Sequence, residues 1–363
     1  MTSSANQAER LGEPPEDPLL LFSVLYGFWY ANLGAFNGDV LCDLAAQYLA
    51  LAEKQRTTIP LMVGHRLAGS SSLHTGDFVD SRAHFDQALS LYDPDKHRSL
   101  ATWHGQDIRV SILSFRSITL WMLGYPEAAL TDVDQAVNHA REIGHAPSLI
   151  YALAATSVPQ LLVGNYASVN VQTYEAVAIA EEKREVFWKA WGRILQGCVL
   201  DLTGKPSEAV HQITSGIAAY QSTGATVCLR QGLSYLAKAY ADLGQFDDAW
   251  RSIGEAIATT ETTKETWFEA EVNRIAGEIA LMGPQNHSAK AEAHFERALA
   301  VARQQRAKSW ELRASMSLAR LWRDQGKVQQ ARELLAPVYG WFTEGFDTRD
   351  LKEAKALLEE LAA

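Results

Sequence analysis

Leu243-Gly244-Gln245-Phe246-Asp247-Asp248-Ala249-Trp250-Arg251-Ser252-Ile253-Gly254-Glu255-Ala256 is the stretch that decides the fold. An apolar residue precedes a glycine, an aromatic follows two positions later, and a small residue stands twelve positions after the glycine. Each placement has a local cause. A helix ending on an apolar residue can turn through a left-handed glycine at no steric cost. The chain turns within two or three residues and a second helix begins. The small residue then falls in the middle of that helix, where two backbones can approach closely. The stretch therefore reads as the turn and second arm of a helical hairpin.

The same pattern runs along the chain. Glycines stand at Gly34, Gly76, Gly124, Gly164, Gly204, Gly244, Gly283 and Gly326, at intervals of 42, 48, 40, 40, 40, 39 and 43 residues. The residue before the glycine is apolar at Leu33, Leu123, Val163, Leu243 and Met282. The second position after it is Phe36, Phe78, Tyr166 or Phe246, or a proline (Pro126, Pro206) that suits the first turn of a helix, where no N–H is needed. The twelfth is small at Ala46, Ala88, Ala136, Ala176, Gly216 and Ala256. After Gly283, the run Pro284-Gln285-Asn286-His287-Ser288 reads as an insertion of three residues, which moves the small position to Ala298. A fixed period of this length is the signature of stacked repeats. The fold expected is all-α, a right-handed α-solenoid of about eight hairpins. Residues 1–18 are expected as a polar, disordered lead-in, 19–347 as the solenoid, and 348–363 as a capping helix. The last helix carries an apolar stripe of Leu351, Ala354, Leu357, Leu358 and Leu361, and Asp350 with Glu353 suggests a capping-box start.

The ladder resembles the tetratricopeptide repeat over roughly residues 20–340, with a period near 40 in place of the usual 34. That longer variant is similar to the repeats at the C-terminal end of bacterial signalling ATPases and MalT-like regulators. Three local matches sharpen the resemblance: Gly105-Gln106-Asp107, the turn Leu123-Gly124-Tyr125-Pro126, and the closing run Glu344-Gly345-Phe346-Asp347-Thr348-Arg349-Asp350-Leu351. They resemble the tail of a bacterial family that joins a class III nucleotide cyclase or DNA-binding head, an ATPase module and a long tetratricopeptide arm. The resemblance implies a sensing or docking arm and carries over no catalysis.

Composition narrows the partners. The 363 residues hold 33 basic and 43 acidic side chains, a net charge of −10, which argues against nucleic acid or an anionic membrane as partner. Leu19 to Phe36 is uncharged for 18 residues, but it ends in the first glycine turn in register with later units, and the flank Glu13 to Pro18 lacks the basic start of a signal peptide. A cytoplasmic protein is expected. Cys42, Cys198 and Cys228 form no C-x-x-C, and neither His97 with His104 nor His139 with His145 has an acidic set beside it, so spacing suggests no metal site. No P-loop, G-x-G-x-x-G, G-x-S-x-G or H-E-x-x-H occurs, so neither a cofactor nor catalysis is expected.

Candidate contact residues come from the phase of the repeats. Trp188, Trp267 and Trp310 each stand 16 residues before a glycine, near the start of a first helix. They read either as a stacked inter-repeat core or as anchors in an inner groove, with Trp191, Arg193, Glu271, Arg274 and Arg313 as polar neighbours. The segment from His104 through Asp107 and Arg109 to Arg116 carries the other candidates. Asp107 suits a helix N-terminus, while Arg109 and Arg116 share a face that suits a carboxylate or phosphate. The function expected is a non-catalytic interaction and sensor arm that docks a protein or peptide segment, such as an ATPase or cyclase effector. The alternative is a small-ligand receptor on the same solenoid.

Overall fold

The computed structural model describes residues 18–97, 105–284 and 287–362; His104 of the charged segment, Gln285 and Asn286 of the insertion, and nearly all of the lead-in lie outside them. The described residues contain helices and no strand. Eight hairpins follow one another: α1 (Pro18–Gly34) with α2 (Gly38–Gln55), α3 (Thr58–Thr75) with α4 (Phe78–Ser90), then, after the short α5 (Pro94–His97), α6 (Ile108–Met122) with α7 (Pro126–Ile143). Next come α8 (Ala146–Val163) with α9 (Tyr166–Lys183), α10 (Val186–Leu202) with α11 (Pro206–Gln221), and α12 (Leu229–Asp242) with α13 (Phe246–Thr263). The last pairs are α14 (Glu269–Met282) with α15 (Ser288–Gln304) and α16 (Lys308–Asp324) with α17 (Val328–Tyr339), and α18 (Arg349–Glu360) packs on the end.

The glycine ladder makes most of these turns. Gly76, Gly124, Gly164, Gly204, Gly244 and Gly326 take φ between 73 and 92°, the left-handed region a Cβ disfavours. Pro126 and Pro206 open α7 and α11 as expected. Ala88, Ala136, Ala176, Ala256 and Ala298 are fully buried mid-helix, and at Gly216 an added Cβ would lie 2.8 Å from Ile194.

Two rungs differ. Gly34 stays inside α1, α2 starts later behind the Asn37 cap, and Ala46 is exposed while its neighbour Ala45 is buried. Gly283 is extended (φ −64°, ψ 154°), because the following Pro284 disfavours helical and turn conformations in the residue before it. The capping-box expectation for α18 also fails: Thr348 is the N-cap, without a side-chain bond, and Asp350 lies inside the first turn. The stripe of α18 is buried at Leu351, Ala354, Leu357 and Leu361, while Lys352, Glu353, Lys355, Glu359 and Glu360 face water. Among the described residues one helix, α8, is long and apolar enough to cross a membrane, but 83% of it is buried inside the protein, as befits a core helix.

The solenoid closes on itself. The carbonyl of Gly34, at the end of α1, accepts from Thr226 N (2.9 Å) and Val227 N (3.2 Å) ahead of α12. The carbonyl of His74, at the end of α3, accepts from Thr266 N (2.9 Å) and Trp267 N (3.2 Å) ahead of α14 with the same geometry. Further on, Ser309 Oγ at the start of α16 donates to Trp121 O at the end of α6 (2.5 Å), and Arg349 at the start of α18 reaches the Tyr166 hydroxyl. Three side-chain contacts along this seam, Thr266 to Thr75, Ser309 to Trp121 and Arg349 to Tyr166, span 183 to 191 residues, so one superhelical turn takes nearly five hairpins. The physical basis is complementary helix ends. The last carbonyls of a helix lack intrahelical partners and carry partial negative charge, and the N–H groups of the turns that lead into α12 and α14 satisfy them. This accounts for Gly34 as well: its carbonyl is capped from the next superhelical turn, so α1 needs no left-handed residue there.

Candidate functional site

Where the two superhelical turns meet, the structure leaves a cavity of about 530 Å³ that is partly open to solvent, with Tyr30, Ala31, Glu185 and Gly224 exposed at its edge. Its wall comes from both superhelical turns. The first turn supplies Tyr30, Arg66, Phe115, Tyr151 and Trp188 from the first helices, and the second supplies the loop from Thr223 to Cys228 with Trp267. The lining is mainly aromatic and aliphatic, and volumes of roughly 300–1,000 Å³ with few polar groups are typical of small-molecule sites.

Arg66 is the buried charge in this wall, and the exposed Glu185 stands at its edge. Arg66 is 2% exposed, donates from Nε to Ser111 Oγ (2.8 Å) and from Nη1 toward the Tyr26 hydroxyl (3.5 Å), and stacks over Trp29. Its Nη2 has no hydrogen-bond partner, and among the described residues no carboxylate pairs with it. Ser111 in turn donates to Tyr151, whose phenol burial pushes up to about 12, so it stays a neutral hydroxyl. A buried guanidinium without a counter-charge favours an anion, since the desolvation it has undergone is offset only by a partner charge. Trp188 and Trp191 line this cavity, and Trp188 packs edge-on against Tyr151 at 5.3 Å.

Of the other candidates Trp267 also borders this cavity, and the rest lie elsewhere. Trp310 is 1% exposed and sits in the seam, edge-on to Trp121 at 4.6 Å, with its indole N–H donating to Trp267 O (3.2 Å). Trp267 is 3% exposed, borders the cavity and donates to Glu265 Oε1 (2.9 Å). These two occupy the core between superhelical turns. Arg313 joins four parts of the fold: Nε donates to Asp350 (2.6 Å) in α18, Nη1 to Glu271 (3.0 Å) in α14 and Nη2 to Leu162 O (2.6 Å) at the end of α8, while its plane stacks on Trp121 and Trp310. Arg274 grips Glu271 with two bonds (2.7 and 2.8 Å). Burial alone would raise the Glu271 carboxyl, but Arg274 and Arg313 outweigh it and hold it at about 2. This cluster clasps the end of the solenoid and has its charges paired internally.

The charged segment is also structural. Asp107 is the N-cap of α6, accepting from Val110 N (2.9 Å), and its own N–H donates to Ser148 Oγ (2.8 Å). Arg116 is held by Asp132 (2.7 and 2.9 Å) and Asp86 (2.7 Å), which leaves it no free face for a phosphate. Arg109 leans over Tyr92 and reaches Gln135 (3.5 Å). Arg193 is half-buried on α10 and lines no cavity with the tryptophans.

Comparison with known proteins agrees with this architecture. A family model described as Tetratricopeptide repeat matches residues 312–337. No curated protein sequence matches the chain. Among solved structures, the chain is similar to a Rap protein complexed with competence and sporulation factor, with a TM-score of 0.62 at 13% identity over 99% of this chain and 95% of that one. It is also similar to the Rap conjugation gene regulator of plasmid pLS20, solved with a Phr peptide, with a TM-score of 0.57 at 11% identity over 86% of this chain and 77% of that one. Aspartyl phosphate phosphatase F from Bacillus subtilis gives a TM-score of 0.52 at 13% identity, over 92% and 85% of the two chains. At these identities the likeness concerns the fold, a helical solenoid of tetratricopeptide type.

Sequence reasoning did not find Arg66, Tyr30, Tyr151 or the Thr223–Cys228 loop. Their only local mark is an arginine amid the small and apolar residues of α3, Gly64 to Ser71. Two of the three motifs that carry the cyclase-family resemblance are neighbours in space. Glu344 Oε1 accepts from Glu127 N (2.9 Å) and Ala128 N (3.1 Å) at the start of α7, and Gly345 N donates back to Glu127 Oε1 (2.7 Å). The Leu123–Pro126 turn and the Glu344–Leu351 run thus form one seam contact.

Proposed function

We propose that this chain is a non-catalytic sensor and interaction module of a bacterial signalling system, and that its receptor site is the interior cavity. The ligand is a compact anion: a carboxylate on an aromatic or branched apolar body, either a small organic acid or the free C-terminus of a short peptide. The observation that carries this reading is Arg66, a buried cation with no carboxylate partner in an aromatic cavity of about 530 Å³. The fold supports it, since the Rap structures of similar architecture were solved with a peptide or with competence and sporulation factor. A ligand there touches both superhelical turns, so its binding energy is coupled to their spacing, which is how a sensor biases one conformation over another. The effector thereby regulated belongs to the ATPase or nucleotide-cyclase class implied by the C-terminal resemblance, and the site of action is the cytoplasm.

The test is a thermal-shift and calorimetric screen with aromatic and branched carboxylates and with short peptides bearing free C-termini. A true ligand at about 100 times its Kd stabilises by about 2.7 kcal/mol. Arg66→Met and Trp188→Ala should abolish the shift while helix content stays. Equal binding by Arg66→Met would overturn the assignment.

A second reading, direct docking of the effector, has its own observation. Leu20, Val24 and Phe28 recur every four residues on α1 and are exposed, an apolar row on one helix face.

A further inference from the structure

Three donor groups from distant parts of the chain meet where the superhelical turns touch. His74 lies at the end of α3, Cys228 in the loop before α12 and Glu265 in the loop before α14, and their ligand atoms all lie within 4.8 Å of one another. We propose that His74, Cys228 and Glu265 form a binding site for a transition-metal ion of the zinc class, with three protein ligands and a fourth position open to the interior cavity.

The chemistry of each group fits. His74 Nδ1 is engaged with Ser70 O (2.8 Å) in its own helix, which leaves Nε2 as the electron-pair donor, the arrangement by which an outer hydrogen bond fixes a metal-binding imidazole. Glu265 is fully buried, and its Oε1 is occupied by Cys228 N (2.9 Å) and Trp267 Nε1 (2.9 Å). Its Oε2 is buried with no hydrogen-bond partner. Arg230 senses the Glu265 charge, yet none of its nitrogens makes a hydrogen bond to it. Cys228 stands at φ 60°, ψ 3°, and borders the cavity with His74.

One imidazole, one thiolate and one carboxylate are a donor set that a divalent, borderline-soft ion accepts. With metal–ligand distances of about 2.0–2.3 Å, a tetrahedral site has edges of roughly 3.3–3.8 Å, so the donors need to close by about 1 Å through side-chain rotation. Binding forms metal–sulfur, metal–nitrogen and metal–oxygen bonds and breaks the Cys228 S–H bond, with that proton released to solvent. The divalent charge is then balanced by one thiolate and one carboxylate. Such an ion would tie the end of α3 to both seam loops, and the open position could take water or the carboxylate of a cavity ligand. The site stands apart from the organic-ligand reading, since either can be observed without the other.

The experiment uses the full chain, stripped with a chelator and titrated with cobalt(II) and zinc(II) chlorides. One equivalent of cobalt should give a near-ultraviolet thiolate-to-cobalt charge-transfer band, zinc should displace it, and zinc should raise the melting temperature. Cys228→Ser should abolish the band. Glu265→Gln keeps an oxygen for the Cys228 and Trp267 donors, so the fold is retained, and it should weaken zinc binding by at least about 100-fold, since loss of a ligand costs no less than loss of a contact that supports one. Cys42→Ser and Cys198→Ser should bind as the parent chain does. Absence of the band in the parent chain, its persistence in Cys228→Ser, or undiminished affinity in Glu265→Gln would each overturn the proposal.

Discussion

Single residues hold the seam together, and Gly345 is the clearest of them. It sits at φ 76°, and a Cβ there would lie 2.1 Å from Pro126 Cγ, so both the backbone and the space demand glycine. Gly345→Ala should destabilise the protein by about 1–3 kcal/mol, read as a lower urea midpoint; an unchanged midpoint would mean that this contact is loose in solution. Glu271 gives a pH prediction. Its carboxyl is held at about 2, against an ordinary value of 4.5, so the native state binds fewer protons than the unfolded state between those values. The stabilisation is complete above about pH 4.5 and is lost as pH falls through about 2. Glu271→Gln should therefore flatten the acid limb of the stability curve in chemical denaturation. It should also lower stability at neutral pH by about 3–5 kcal/mol, because Arg313 and Arg274 lose a buried counter-charge.

At the scale of elements, the first helices do two jobs. Their sides pack on neighbours within the repeat stack, and their ends meet helices one superhelical turn away. The hairpin turns, the proline starts and the small mid-helix positions were legible because each is set by contacts within one period. Asp107 at a helix start was legible for the same reason, although the sequence suggested a place inside the first turn and the structure makes it the N-cap. The partners of Arg313 and Arg116 were not, because Asp350, Glu271, Leu162, Asp132 and Asp86 are brought to them by folding and share no spacing rule. Trp267 and Trp310 show the same limit: their phase marked the start of first helices, and only the seam determined that those starts are covered. Asp107→Ala isolates a purely local term, and it should cost about 1 kcal/mol through the lost cap, seen as earlier thermal unfolding with an unchanged cobalt spectrum.

On the scale of the whole molecule, closure makes the last quarter of the chain a support for the first half. Glu344 caps the start of α7, Gly345 N donates to the Glu127 side chain there, Arg349 packs against Gly164, and Trp341 covers Gly124. Removing residues 340–363 should therefore loosen the contact with α7 and α9 as well as expose the α17 side that α18 covers. Small-angle scattering should show a larger radius, and hydrogen exchange should quicken at the starts of α7 and α9; exchange confined to α17 would mean that the seam is not cooperative.

What the sequence by itself determined is the repeat: helices, turns, their number and their capping follow from glycine, proline and apolar spacing that act within about 40 residues. What only the tertiary structure decided is how those repeats close. A small rotation per hairpin accumulates over nearly five hairpins before the helix ends meet, so the register of the seam is a property of the sum and of no single unit. The cavity around Arg66 and the meeting of His74, Cys228 and Glu265 exist because that sum brings unsatisfied carbonyls to unsatisfied N–H groups.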